Sequence, residues 1–169
     1  KSREMERIAI IGSAGSGKST FSVGLGNKTN LPVYHLDRYF WNENWEKTEK
    51  EDWKDIQMKL VNKERWIIDG NYGSTLDIRL KRADTIIYFD LPRIVCIWRI
   101  LKRYFSNIGR NRPDMAEGCE ERLNYEFLKW VWDFPDKEKP ELEEHLRDFS
   151  GTIIKINSNK DMEKFFEKI

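Results

Sequence analysis

Five short apolar runs punctuate an otherwise polar chain, and each reads as a strand. Ile8 to Ile11 is unbroken and mostly β-branched, which suits a strand buried on both faces of a parallel sheet. Val33 to Leu36 ends at Asp37, Trp66 to Ile68 at Asp69, Thr85 to Phe89 at Asp90 and Thr152 to Ile156 at Asn157. Between these runs the spacing turns helical. Ser19 to Leu25 predicts a short helix, followed by a loop over Asn27 to Pro32. Trp53, Ile56, Leu60 and Val61 predict one amphipathic helix in the tryptophan-rich stretch Tyr39 to Lys63. Leu123, Phe127, Trp130 and Phe134 predict the core face of a later helix. After a charged turn over Asp136 to Pro140, Pro140 is placed to open a helix carrying Leu142 and Leu146.

Strands alternating with helices over the whole length predict an α/β fold with a parallel sheet and right-handed crossovers. Ligands of such sheets sit at the carboxyl ends of the strands, where Asp37, Asp69 and Asp90 fall. Asn107 to Gly118 breaks the alternation: it is polar, carries Arg110, Arg112, Pro113 and Asp114, and reads as a mobile excursion. No internal repeat or low-complexity segment interrupts the chain.

The chemistry begins at the first strand's end. Gly12, Ser13, Ala14, Gly15, Ser16, Gly17, Lys18 and Ser19 match GxxxxGK[ST] in full, between a predicted strand and a predicted helix. Glycines let successive backbone amides converge on phosphate oxygens, and the helix adds its positive end. The motif predicts that Lys18 reaches the β- and γ-phosphates of ATP and that the Ser19 hydroxyl ligates Mg²⁺. By itself it does not separate kinases from ATPases, GTPases or nucleotide sensors.

Composition changes the picture little. The 169 residues fit a single domain, and 30 basic against 29 acidic side chains imply no global field for nucleic acid or membrane. No run approaches the roughly 18 apolar residues of a membrane span, and no signal-peptide core follows the charged Lys1 to Arg7, so a cytoplasmic protein is expected. Cys96 and Cys119 lie outside any CxxC or Cys/His cluster and read as reduced, buried thiols. His35 and His145 have no partner at ligand spacing, and neither is assigned a catalytic role.

With the phosphate loop in hand, the chain resembles the adenylate-kinase-like group of small P-loop kinases, closest to the bacterial topology modulation protein family. The resemblance runs through Gly12 to Thr20, His35-Leu36-Asp37-Arg38 with Trp41 and Trp45, and Trp66 to Tyr72. It continues through Ala83 to Pro92, Arg99 with Arg103, and Arg112-Pro113-Asp114 with Arg122. It implies a three-layer α/β/α fold with a five-stranded parallel sheet of order 2-3-1-4-5, an acceptor-binding region at about 38–64 and a small lid at about 107–120. It also implies that Arg99 packs on adenine near Asn157 and Ser158, and that Arg103 holds ATP phosphates. Arg112 and Arg122 resemble lid arginines that neutralise the transferring phosphoryl group.

The chain departs from adenylate kinase where those enzymes carry Asp-Gly-Phe-Pro-Arg. Asp69-Gly70-Asn71-Tyr72 lacks the arginine that grips the acceptor's phosphate. Arg38, Arg79 or Arg82 stands as a replacement clamp or as a solvated arginine. Asp37 reads as a base for an acceptor hydroxyl, or as a helix cap. Asp69 reads as a carboxylate beside Mg²⁺, or as half of an Asp-Gly turn, with Gly70 admitting close approach of substrate. Trp41 and Trp45 wall a pocket for a flat ring, or pack helix on sheet. Together these readings predict an ATP- and Mg²⁺-dependent kinase of a nucleotide or nucleoside-type acceptor, monomeric or weakly dimeric. The alternative is a non-catalytic ATP-binding regulator acting through a partner or DNA, although direct nucleic-acid binding is not expected without a basic stripe.

Overall fold

The fold is described from a computed structural model over residues 4–108, 115–119 and 123–169. The apolar runs pair into one parallel sheet of order β2-β5-β1-β6-β7. Its strands are β1 (Arg7–Gly12), β2 (Val33–His35), β5 (Trp66–Asp69), β6 (Thr85–Phe89) and β7 (Thr152–Ile156). Counted over these five strands the order is 2-3-1-4-5, as expected. A two-stranded hairpin, β3 (Trp41–Asn42) and β4 (Glu46–Lys47), stands apart from the sheet.

The central strand shows why the layers form. In an extended chain successive side chains point to opposite faces. Ile8 and Ile10 therefore join a cluster with Phe21 and Leu25 of α1 (Lys18–Thr29), Cys96 and Ile100 of α5 (Arg93–Ser106), and Phe165 of α8 (Asn159–Lys168). Ala9 and Ile11 join the opposite cluster, with Trp53, Leu60 and Val61 of α3 (Lys50–Val61) and Leu76 of α4 (Leu76–Leu80). Phe134 of α6 (Tyr125–Lys137) and Leu142 and Leu146 of α7 (Lys139–Arg147) complete that side. Burying β1 on both faces requires a continuous apolar run, and Ile8 to Ile11 supplies it. Among the described residues no helix is long and apolar enough to cross a membrane.

Several boundaries differ from the sequence pattern, each for a local reason. The second strand stops at His35, because Leu36 opens the short helix α2 (Leu36–Phe40), and Asp37 sits in that helix's first turn. The charged turn expected over Asp136 to Pro140 shrinks to Glu138. Pro135 is accommodated inside α6, and Glu138 itself stays right-handed (φ −96, ψ −39), so α7 follows after one residue with Pro140 in its first turn. Leu123 lies outside α6 and is exposed, and Trp130 is also partly exposed, so that face is not a sealed core. Val131 and Phe134 carry the buried packing of α6.

The expected excursion at 107–120 is described only in part, and Arg110, Arg112, Pro113 and Asp114 lie outside the described residues, as does Arg122. Its far end is docked. Met115 and Cys119 are buried, the Asn44 amide donates to the Gly118 carbonyl at 3.2 Å, and the Cys119 thiol donates to the Asn42 carbonyl at 3.0 Å. Residues 115–119 thus rest on the β3–β4 hairpin rather than standing free.

Candidate active site

The phosphate loop is built by steric necessity at the end of β1. Gly12 has φ 138, and a Cβ there would collide with the Phe89 carbonyl. At Gly15 (φ 75) a Cβ would lie 2.5 Å from the Cys96 carbonyl oxygen, so any other residue would push the loop off α5. Helix α1 begins at Lys18 directly after left-handed Gly17, with no side chain capping its first amides. Uncapped first-turn amides at a helix N-terminus form an anion site. The Ser16 hydroxyl braces the turn by donating to the Ser13 carbonyl at 2.6 Å, and the Lys18 ammonium donates to the same carbonyl at 2.8 Å. Burial pulls the Lys18 pKa below its usual 10.5, while the Asp69 and Asp37 charges oppose the shift. The loop's side chains, Ser19 and Thr20 included, line a cavity of about 1360 Å³.

Across that cavity stands a wall made from β5, the loop after it, and α2. Asp69, the last residue of β5, is buried, and its Oδ2 lies 2.5 Å from His35 Nδ1. The Tyr72 hydroxyl donates to Asp37 Oδ1. Burial, reinforced by the Asp37 charge, raises the Tyr72 pKa, so the phenol remains a donor at all ordinary pH. Trp41 and Trp45 pack edge to face at 5.6 Å on the same wall, and the rings of Phe40, Trp53 and Tyr72 form a mutually contacting trio behind it.

The loop Gly70-Asn71-Tyr72 is pinned from both sides. Arg79 is fully buried and donates Nη1 to the Gly70 carbonyl at 2.6 Å, and Nη2 to the carbonyls of Asn71 and of Tyr72, the latter at 3.0 Å. Burial lowers the Arg79 guanidinium to about 10, which leaves it charged at neutral pH. From the other side, Asn71 Oδ1 accepts the Gly12 amide at 2.8 Å and its Nδ2 donates to the Gly12 carbonyl. Tyr72 is held at φ 39, a left-handed conformation unusual for a bulky residue and stored only where surrounding contacts fix it.

The sequence-derived candidates therefore divide. Lys18, Ser19, Asp37, Asp69, Gly70, Asn71, Tyr72, Trp41, Arg99 and Arg103 come together around one cavity. Arg99 is fixed by Nη1 to the Ser16 carbonyl at 2.9 Å and Nη2 to Asn159 Oδ1 at 2.5 Å, which ties α5 to the start of α8. Arg79 is not a cavity residue: its guanidinium is committed to loop carbonyls. Arg38 points toward the docked lid segment, with Nε 3.5 Å from the Met115 carbonyl, and is likewise absent from the lining. Asn157 does not line the cavity, and its amide donates to Asp161 Oδ2 at 2.9 Å; Met162 and Phe166 of α8 line it instead. Phe127, Trp130 and Phe134, read as core, also face the cavity.

Two features were missed from sequence. His35 was given no partner, yet the parallel register sets it beside Asp69 across β2 and β5. Asn71 holds the phosphate loop through Gly12, 59 residues away, a contact with no sequence signal beyond its place after the Asp-Gly pair.

The residues fit ATP and Mg²⁺. An uncapped helix start and a glycine cradle suit phosphates, and Mg²⁺ shared with phosphates needs only one or two protein oxygens. Ser19 and Asp69, both on the cavity wall, would supply these; among the described residues no cluster of three or more His, Cys, Asp or Glu forms an all-protein cage.

The sheet order, glycine loop and cavity define a shikimate-kinase-like P-loop NTPase fold. A shikimate kinase from Bacteroides thetaiotaomicron superimposes with a TM-score of 0.57 at 18% identity, over 98% of this chain and 96% of that one. A shikimate kinase from Acinetobacter baumannii in complex with shikimate gives 0.59 at 13% identity, over 97% and 92%. A gluconokinase from Sinorhizobium meliloti 1021 gives 0.54 at 14% identity, over 96% and 94%. No family model and no curated protein matches the chain, so the resemblance to topology modulation proteins is not confirmed, and the solved structures show the fold.

Proposed function

We propose that this chain is an ATP-dependent phosphotransferase acting on a hydroxyl of a small, nucleoside-type acceptor. One observation carries the reading: Asp37, oriented by the Tyr72 hydroxyl, lines the same cavity as Lys18, whereas Arg79, the candidate phosphate clamp, is turned into the protein. A phosphate-bearing acceptor would need a cation gripping it on that wall, where Lys47 instead lies over the Trp41 ring at 6.0 Å; a hydroxyl acceptor needs a carboxylate, and Asp37 is there. The solved P-loop structures of this shape include enzymes described as kinases of shikimate and gluconate, which are small molecules.

In this mechanism Asp37 takes the proton of the acceptor hydroxyl as its oxygen bonds to the γ-phosphorus. The bond from that phosphorus to the β,γ-bridging oxygen breaks, and ADP leaves. Lys18 follows the β- and γ-phosphate oxygens, while Arg103 and the lid arginines Arg112 and Arg122 balance charge spreading on the moving group. Ser19 and Asp69 would hold Mg²⁺, which would supply further neutralisation of the phosphates. Trp41 and Trp45 bracket the acceptor's ring, and His35 keeps the Asp69 carboxylate aimed.

Asp37→Asn tests this directly. Acceptor-dependent ADP release is expected to fall by about 10²-fold or more with ATP affinity unchanged. Undiminished transfer in that variant would remove the hydroxyl-acceptor reading.

A further inference from the structure

The cavity runs past the transfer centre to a far wall. Asp69 and Asp37 are the carboxylates whose charges reach Lys18, and they stand at the ends of β5 and β2. The far wall is the junction of α6 and α7, where Phe134, Glu138, Glu141, Leu142 and His145 line the same cavity. Phe134 and Leu142 pack in one cluster with Leu36 and Leu76, on the sheet face opposite α1, α5 and α8. This lobe therefore belongs to the acceptor half, away from the helices that carry Arg99 and Asn159.

Its place along the sheet is fixed. Lys139, the first residue of α7, donates to Asp90 Oδ2 at 2.9 Å, and Asp90 directly follows β6. The junction thus stands at the carboxyl end of β6 while Asp37 stands beyond β2, with β5 and β1 between them. Three strand spacings of about 4.8 Å put the two walls about 14 Å apart at the sheet. A gap of that size, narrowed by side chains from both walls, suits a sugar joined to a second ring rather than a lone small ring.

The chemistry of the lobe is one-sided. Trp130 and Phe134 pack edge to face at 5.4 Å and give it an aromatic wall. Glu138 is half-buried and Glu141 exposed, and among the described residues neither forms an ion pair. The lysines beside Glu138 are tied elsewhere, Lys137 to Asp133 at 3.3 Å and Lys139 to Asp90. Of the cations on the cavity wall, Lys18, Arg99 and Arg103 gather at the phosphate loop and Lys47 lies over the Trp41 ring. An ionised carboxylate only accepts hydrogen bonds, and His145, one turn beyond Glu141, adds a ring nitrogen that donates or accepts. Two carboxylates beside an aromatic wall select a flat ring whose edge donates N–H groups, and disfavour an edge of carbonyl oxygens, a carboxylate or a phosphate.

We infer that the far end of the acceptor is an amino-bearing base read by Glu138 and Glu141. Guanine is the best match, because its edge presents a ring N–H beside an amino group. The inference rests on the reading of Asp37 as the carboxylate that faces the acceptor hydroxyl. Glu138 and Glu141 then determine specificity and take no part in moving the phosphoryl group.

The test is equilibrium dialysis of nucleosides against the full chain with ADP and Mg²⁺ present, run beside acceptor-stimulated ADP release from ATP. Guanosine is compared with inosine, which lacks the 2-amino group, and cytidine with uridine, in which a carbonyl replaces the amino group. The amino-bearing member of each pair is expected to bind at least about 10-fold tighter, as one hydrogen bond to a charged group provides. Glu138→Gln with Glu141→Gln keeps the shape of both side chains and should shrink each preference at least about 5-fold, with unchanged circular dichroism. Preferential binding without any ADP release would support the base reading while removing the transferase one. ADP release with no preference within either pair, a preference that survives in the double variant, or no binding of any nucleoside would overturn the inference.

Discussion

Lys18 shows at the scale of one residue how function costs stability. Its ammonium is partly buried beside the Ser13 carbonyl, and burial is the largest influence on its pKa, ahead of the favourable charges of Asp69 and Asp37. The folded state therefore binds this proton less well than the unfolded chain, whose lysine titrates near 10.5. Stability must rise with pH through the window between the lowered folded value and 10.5, because the unfolded state holds more protons there. Lys18→Met keeps the length of the side chain and removes the charge. It is expected to stabilise the protein by about 1 kcal/mol at pH 7 in urea denaturation, with the gain shrinking as pH climbs toward 10.5. The same substitution should lower phosphate transfer by about 10²–10³-fold, since it removes the cation that follows the γ-phosphate. A variant less stable than the parent at pH 7 would show that the pairing with Asp69 and Asp37 outweighs desolvation.

At the scale of the element, the loop after β5 is the joint between the two half-sites. Arg79 of α4 holds three consecutive carbonyls of that loop, Asn71 holds Gly12 of the phosphate loop, and Tyr72 holds Asp37 of α2. Removing the guanidinium leaves buried carbonyls without donors, so Arg79→Met should cost about 3 kcal/mol in denaturant unfolding. It should also reduce kcat more than it raises KM, because Asp37 and Gly12 lose their common anchor. A substrate clamp would give the reverse, a large rise in KM at constant stability. The sequence made half of this element legible. GxxxxGK[ST] is a local pattern whose physics lies in eight consecutive residues, and it was read in full. The joint is a tertiary contact between residues far apart in the chain, so in sequence Arg79 carries the same signature as any exposed arginine. His35 escaped notice for the same reason: its partner is set by strand register, not by spacing.

At the scale of the molecule, the alternation of apolar runs with helical stretches predicts the layered parallel sheet, while the strand order follows from the family resemblance. Topological handedness leaves few ways to close such a chain. What the pattern did not reveal was which apolar helical faces meet the core and which meet a cavity or another surface. Phe127 and Trp130 of α6 repeat at helical spacing as a core face would, yet they line the cavity, and Ile94, Trp98 and Phe105 of α5 are exposed. Periodicity reports that a face is apolar and is silent on what covers it. The central claim is that one cavity holds both halves of a phosphoryl transfer. It is tested most directly by measuring ADP release from ATP and Mg²⁺ across a panel of nucleosides, nucleoside monophosphates and small polyols. Release stimulated by a hydroxyl acceptor and abolished in both Lys18→Met and Asp37→Asn is the predicted result. Tight ATP binding with no stimulation by any acceptor would contradict it and leave a nucleotide-binding regulator in its place.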